Sequence, residues 1–114
     1  MSNRLIRVLA HWKPETPSDQ EDMKDHQLIF DLIVDENDRV VNPSSLMFGS
    51  YGAYKSIEFY PFEMLGKKIK FSKNEEAEES CDITEKFIRN GEYFNYERSN
   101  GSSIYQISRI ERLL

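Results

Sequence analysis

Cysteine is almost absent from this sequence, which also contains only two histidines and no long hydrophobic run. Cys81 is alone and cannot form an internal disulfide, so a disulfide-stapled secreted domain is excluded. Every apolar run is too short to cross a bilayer as a helix, and Arg4 and Arg7 interrupt the N-terminal apolar stretch. These absences predict a cytoplasmic protein that does not bind a membrane.

Signatures of catalysis and of metal binding are also lacking. His11 and His26 are the only histidines, and their spacing to Cys81 and to the aspartates matches no zinc motif. The acidic stretch that begins at Asp35 lacks the ligand order of a calcium loop, and the glycines form no phosphate-binding loop. Cys81 follows acidic residues, which disfavour a nucleophilic thiolate. The sequence therefore predicts no enzyme, no metal site and no cofactor.

Aromatic residues are plentiful by contrast, at 12% of 114 residues, with hydrophobic residues at 39%. This content is sufficient for a folded core in one domain that covers residues 1–114. Strand-like segments alternate with glycine, asparagine and proline at fairly regular spacing. We therefore predict a mainly β class: a single curved antiparallel sheet or small barrel with one or two short helices. An α+β arrangement is the alternative.

Period-two alternation predicts the first strands. It places apolar side chains on one face of residues 5–12, and it places Leu28, Phe30, Leu32 and Val34 on one face of the next strand. Residues 35–38 then form a turn, and residues 39–41 return as a short partner strand. Gly49 and Gly52 indicate a bulge, a bend or a close backbone approach. Residues 67–71 resume an extended pattern.

Other segments are ambiguous or predict helix. Residues 19–25 suit one or two helical turns or a polar loop. Residues 61–66 suit a helical turn, with Pro61 at its start and Gly66 at its end. Residues 72–82 have no apolar periodicity, which predicts a surface loop or a frayed helix. Residues 83–88 fit strand or helix, and Asn90 with Gly91 predicts a turn.

The stretch EYFNYERSNGSSIYQIS, residues 92–108, predicts a hairpin with Asn100 and Gly101 at the centre of its turn. One face then carries the pairs Tyr96–Tyr105, Phe94–Ile107 and Glu92–Arg109, and the other carries Glu97–Ile104, Asn95–Gln106 and Tyr93–Ser108. The first face is apolar and aromatic, which predicts that it faces a core. We expect the last strand to run through about Arg109, with helix as the alternative for the C-terminal segment.

Charge provides the strongest indication of function. Residues 15–38 contain nine acids and one base, and residues 75–85 contain six acids and no base. Such a surface disfavours nucleic acid as a ligand, and it favours a basic protein partner whose approach it accelerates. We expect a non-catalytic bacterial immunity-type protein, an inhibitor that masks the basic active site of a toxin nuclease. The alternative for each acidic stretch alone is that it maintains solubility.

The predicted partner-binding residues are eleven acids from these two stretches and three tyrosines suited to anchor an interface. They are Asp19, Glu21, Asp22, Asp25, Asp35, Glu36, Asp38, Glu75, Glu76, Glu78, Glu79, Tyr51, Tyr54 and Tyr60. Packing in the core or at its rim is the alternative role for the tyrosines.

Two further functions compete with inhibition. One is a small-molecule-binding barrel whose aromatic interior holds an apolar ligand. The other is a single-strand nucleic-acid-binding domain, in which aromatic residues stack on bases and cations contact phosphates. The residues suited to that second role are Phe71, Tyr93 and Tyr105 for stacking, and Lys67, Lys68, Lys70 and Arg89 for phosphates.

Overall fold

The computed structural model describes residues 3–13, 26–53, 57–71, 74–99 and 101–114, and it describes only the backbone of residues 74–77. Eight antiparallel strands form a closed barrel in which each strand pairs with the next and the last pairs with the first. The strands are β1 (Arg4–Trp12), β2 (His26–Val34), β3 (Leu46–Ala53), β4 (Glu58–Leu65), β5 (Lys68–Phe71), β6 (Asn74–Cys81), β7 (Tyr93–Arg98) and β8 (Gly101–Arg112). The predicted mainly-β, barrel-like class is confirmed.

Alternation along the strands fills the barrel interior. Ile6, Val8 and Ala10 of β1 are buried, and so are the four apolar residues predicted for one face of β2. Within the described ranges, nineteen buried residues form one core cluster, in which the ring of Phe30 contacts the rings of Phe62 and Phe94 at centroid distances of 5.5 and 5.7 Å. The barrel is therefore packed by its own side chains where these residues meet.

Gly49 is the glycine at which the predicted close backbone approach is confirmed. A Cβ at this position would overlap the carbonyl oxygen of Ile29 and the ring of Phe62. Only glycine leaves room for Phe62 to cross over β3 and reach Phe30.

The helical turn predicted for residues 61–66 is wrong, because Pro61 and the four residues after it lie within β4. Phe62 and Met64 are buried, whereas Glu63 and Leu65 are exposed. This two-residue alternation suits a strand, and pairing with β3 on one side and β5 on the other outweighs the proline and glycine signals. Gly66 does end the element, at a φ of +63° in the turn to β5.

The loop or frayed helix predicted for residues 72–82 is also wrong. Residues 74–81 form β6, which pairs with β5 and β7 and completes the barrel. Pairing with the neighbouring strands determines that this segment is extended, although its acidic composition is unfavourable for a strand. The following residues, for which strand and helix were the alternatives, contain only the 3-10 turn Ile83–Glu85.

The β7–β8 hairpin is confirmed, but its predicted register is wrong by two residues. Phe94 lies opposite Tyr105 and Arg98 lies opposite Gly101, whereas the prediction placed Tyr96 opposite Tyr105. Asn100, predicted at the centre of the turn, lies outside the described residues. Gly101 has a φ of +145°, which does not fit the centre of a type I′ turn. A shift of two keeps each side chain on its predicted face, and Phe94, Tyr96, Tyr105 and Ile107 are buried as expected.

The C-terminal segment is a strand and not a helix. β8 extends to Arg112, and it pairs with β1 from Trp12 opposite Tyr105 to Ile6 opposite Arg112. This pairing closes the barrel and outweighs the helical spacing of the isoleucines.

Candidate functional site

The predicted partner-binding acids divide into three groups in the structure. Asp19, Glu21, Asp22 and Asp25, like Tyr54 and the predicted helical turns at residues 19–25, lie outside the described residues. Glu75 and Glu76 lie on β6, where only the backbone is described. The remaining acids occupy the turn after β2 and the last part of β6.

Asp38 in the turn after β2 forms ion pairs inside its own chain. Its carboxylate accepts hydrogen bonds from Arg4 at 2.7 Å and from Arg89 at 3.1 Å. These two guanidinium groups lower the pKa of Asp38. Its charge is therefore balanced by two cations before any partner approaches.

Asp35 has a structural role in the same turn. The sequence analysis predicted this turn at the correct residues, 35–38. Its carboxylate accepts the backbone N–H groups of Asn37 at 2.8 Å and Arg39 at 3.0 Å. The predicted return strand is reduced to one bridge between Val34 and Val40. Glu36 is exposed, and with Arg4, Arg39 and Arg89 nearby this end of the barrel carries mixed charge.

The Glu79 carboxylate also interacts with side chains of its own chain. It accepts the Tyr96 hydroxyl at 2.6 Å and lies 3.4 Å from Nε of Arg98. Burial, followed by the Glu79 hydrogen bond, raises the pKa of Tyr96. The guanidinium of Arg98 lies over the rings of Tyr96 and Tyr51, at 5.2 and 5.8 Å from their centroids. Of the described acids of β6, Glu78 is the one whose side chain is exposed.

Tyr51 and Tyr60 belong to an aromatic group at the end of the barrel. Tyr51 packs against the core, stacks on Tyr60 at 6.4 Å and shares a 2.5 Å hydrogen bond with Nδ1 of His26. The edge of the His26 ring meets Trp12 at 5.4 Å. Both tyrosines are half-buried, so their packing role is the better supported one.

The barrel wall is least continuous between β6 and β7. In the described part of the chain these strands pair only at Ser80–Glu97 and Cys81–Tyr96, whereas β1 and β2 pair at eight positions. Below this seam, the Asp82 carboxylate accepts the backbone N–H of Asn95 at 2.8 Å. Above it, the Glu79–Arg98 ion pair joins the two strands through side chains alone.

A groove of about 690 Å³, half-open to solvent, crosses the outer wall beside this seam. Its lining comes from β3 to β7, and strand pairing aligns its first row across all five strands. The partners in that row are Leu46 with Leu65, Leu65 with Lys68, Lys68 with Ser80, and Ser80 with Glu97. We call this feature the wall groove.

The two ends of the wall groove differ chemically. The β3–β4 end contains Leu46 and Leu65 together with Glu63, which lies directly opposite Lys70 of the middle strand β5. The β6–β7 end contains Glu78 and Glu97 together with Arg98. Among the described residues, Lys68, Lys70 and Glu78 have no ion-pair partner. Glu97 accepts only a long 3.5 Å hydrogen bond from Ser80. These charges are therefore available to a ligand.

An exposed apolar patch continues from the wall groove across β3 and β4. Leu46, Phe48 and Leu65 are between 52% and 58% exposed, and Leu46 lies directly opposite Leu65. Sequence analysis did not select these residues as a candidate binding surface. The available signal was apolar residues on both faces of one strand, as in the run Leu46, Met47 and Phe48, where only Met47 is buried.

The structure does not support the stacking surface of the nucleic-acid alternative. Tyr105 is buried and Phe71 packs against the core, whereas Tyr93 is exposed. Lys67 forms an ion pair with Glu85 at 2.6 Å, and Arg89 pairs with Asp38. The filled interior likewise opposes an apolar ligand between the core side chains.

Comparison with protein-family models, with curated protein sequences and with solved structures gives no match. Among the described residues, no three His, Cys, Asp or Glu side chains cluster as a metal site would require. No helix in those ranges has the length and apolar character needed to cross a membrane.

Proposed function

We propose that this chain is a non-catalytic protein-binding domain that captures its partner on the wall groove and the adjoining apolar patch. The observation that carries this proposal is the exposed apolar surface of Leu46, Phe48 and Leu65 beside a groove with unpaired charges. Large apolar side chains that cluster on a barrel wall are costly to leave in water and typically mark an interaction surface. A charged rim around an apolar centre is the usual composition of such an interface.

A basic protein remains the favoured class of partner. The chain has a net charge of −5, and Glu78 and Glu97 present unneutralised acids at one end of the wall groove. Long-range attraction of this kind speeds the encounter with a cationic surface. The immunity-type inhibitor of a toxin nuclease is the specific form of this proposal. It depends on the net charge and on the groove acids, since Asp38 is balanced by two arginines and the Asp35 carboxylate accepts backbone N–H groups of its own turn.

Affinity capture from a lysate of the native host tests the proposal when wild type is compared with Leu65→Asp. Ile104→Asp is the matched control, because Ile104 is also an exposed strand residue of the outer wall but lies on β8, away from the groove. Circular dichroism confirms that both variants are folded. We expect the same basic protein to be retained by wild type and by Ile104→Asp and lost with Leu65→Asp. Capture of identical proteins by all three would exclude the wall groove as the binding surface.

A further inference from the structure

Another pocket, of about 260 Å³ and half-open to solvent, lies at the end of the barrel that carries the turn after β2. We call it the end pocket, and it shares no residue with the wall groove. Its apolar lining consists of Ile6, Val34, Ile88 and Ile110. Its polar lining consists of Arg4, Asp38, Arg89 and Asn90. The first three apolar residues are at most 4% exposed, so the floor of the end pocket belongs to the core.

The guanidinium of Arg4 leaves one buried donor without a partner. Its Nη2 donates to the Asp38 carboxylate at 2.7 Å and to the backbone carbonyl of Asp35 at 3.1 Å. Its Nε is shielded from solvent and meets no hydrogen-bond acceptor among the described residues. Folded proteins rarely leave a buried donor unsatisfied, because the lost hydration is costly. Since Arg4 lines the end pocket, an acceptor bound there would satisfy this donor.

Arg89 brings a second guanidinium to the end pocket. Its Nε donates to Asp38 at 3.1 Å, and its guanidinium carbon lies 4.6 Å from the centre of the Phe87 ring. These two contacts hold the group in place, and its terminal nitrogens donate to no acceptor in the described ranges. Two arginines and one aspartate give the lining an excess of one positive charge. Outside the lining, Arg39 and the acids of the turn add charges of both signs.

We infer that the end pocket binds a small amphipathic carboxylate, a branched aliphatic acid of about six carbons. Its carboxylate accepts hydrogen bonds from Nε of Arg4 and from the terminal nitrogens of Arg89, a pairing to which the planar guanidinium is suited. Its branched chain lies on the apolar lining. The inference is independent of the proposed function, since it concerns a different part of the barrel.

The size and the charge of the end pocket both limit the ligand. A closed cavity of roughly 150 Å³ holds benzene, so a half-open pocket of about 260 Å³ has room for about eight non-hydrogen atoms. An excess of one positive charge is neutralised by a monoanion, whereas a phosphate dianion would leave an unbalanced negative charge beside Asp38.

A ligand series on the wild-type protein tests the site without any mutation. 4-Methylpentanoate is titrated into the 15N-labelled protein at pH 7, and 4-methylpentanamide, acetate and sodium chloride are compared at equal ionic strength. We expect 4-methylpentanoate to shift the backbone N–H resonances of residues 88–90, with a dissociation constant on the order of 1 mM. 4-Methylpentanamide lacks the charge and acetate lacks the branched chain, so each should bind about ten-fold more weakly.

Two arginine variants locate the site. Arg89→Gln removes one guanidinium but leaves Arg4 paired with Asp38, and it should weaken binding of 4-methylpentanoate about ten-fold. Arg7→Gln is the matched control, because Arg7 also forms an ion pair, with Asp31 at 2.8 Å, but lies on the outward face of β1. It should change the affinity by less than about two-fold, since salt screens an exposed charge. Thermal melts confirm that both variants are folded.

Equal binding of 4-methylpentanoate and 4-methylpentanamide would overturn recognition of the anion. Equal binding of acetate and 4-methylpentanoate would overturn the role of the apolar lining. The site itself would be excluded by equal losses in the two variants, or by unshifted resonances of residues 88–90 at about 20 mM ligand. In that last case a water molecule satisfies Nε of Arg4. None of these results affects the capture experiment with Leu65→Asp.

Discussion

The carboxylate of Glu79 lies between two side chains of β7, and this is the principal polar interaction at the seam. Glu79→Gln removes the ion pair with Arg98 and replaces a charged acceptor of the Tyr96 hydroxyl with a neutral one. We expect the free energy of unfolding to fall by about 1–3 kcal/mol, as for other hydrogen bonds to charged groups. Urea denaturation measures this change. Glu97→Gln, on the outer face of the same seam, should cost far less, and equal losses would contradict the assigned role of Glu79.

Gly49 has no space for a side chain. Gly49→Ala places a methyl group against the Ile29 carbonyl and the Phe62 ring, so we expect a loss of about 3 kcal/mol from overpacking. Gly66→Ala is the comparison, since its Cβ meets no atom within 4 Å and only the φ of +63° is unfavourable. That change should cost about 1 kcal/mol. Thermal melts of both variants measure the two losses of stability. A smaller loss for Gly49→Ala than for Gly66→Ala would contradict the packing around Phe62.

Asp38 links stability to pH. Arg4 and Arg89 lower its pKa in the folded protein below the ordinary aspartate value of 3.8, so the ionised form stabilises the fold. This contribution is fully present above that value and is lost as the pH falls through the lowered pKa. We expect the stability difference between wild type and Asp38→Asn to be constant above about pH 5 and to shrink below about pH 4. Urea denaturation of both proteins from pH 6 to pH 2.5 measures this stability difference. A difference that grows on acidification would contradict the assigned role of Asp38.

Several residue positions could be predicted from the sequence, and others could not. The buried face of β2 and the aromatic face of β7 and β8 follow from alternation, since one side of each strand must face the core. The partners of Asp38 and Glu79 could not be predicted. Arg4 is 34 residues from Asp38 in sequence, and Tyr96 is 17 residues from Glu79, so only the closed barrel brings them together.

At the scale of elements, the β6–β7 seam is the place where the barrel is expected to open most readily. Cys81 is 2% exposed and lies in one of the two residue pairs that join these strands. Burial raises the pKa of its thiol to about 12, so the folded protein holds very little thiolate. The thiol therefore reports on separation of the two strands.

Alkylation by iodoacetamide at pH 8 should be slow in the wild type and fast in urea, because the thiolate is the reactive form. Glu79→Gln should raise the native-state rate, since the ion pair above Cys81 is lost. Gln in place of Glu97 provides the control. Mass spectrometry counts the labelled fraction, and rapid labelling of the folded wild type would show that the seam does not protect the thiol.

Strand prediction succeeded where alternation coincides with clear boundaries, as in β1 and β2. It failed at β6, because a strand of acidic residues forms only where β5 and β7 supply its partners. The register of β7 and β8 differed by two residues, since alternation fixes the face of each side chain but turn geometry fixes the partner.

For the whole molecule, the barrel class could be predicted and the binding surface could not. Composition and turn spacing indicate a small β fold, and closure into eight strands confirms it. The wall groove depends on which residues of five strands align in one row, and that alignment arises from registers that the sequence does not encode locally. Acidic stretches drew attention to residues 35–38, where the fold balances the charge of Asp38 with two arginines and uses the Asp35 carboxylate to hold the turn.

Site-specific photo-cross-linking in the native host tests the central claim most directly. A photoreactive phenylalanine analogue replaces Leu65 in one variant and Ile104 in another, so that both probes lie exposed on the outer wall at 58% and 37%. We predict one cross-linked protein species with the probe at position 65, which fails to form when Glu78→Lys and Glu97→Lys are added to that variant, and none with the probe at position 104. A species that forms at position 104 and not at position 65 would contradict binding on the wall groove.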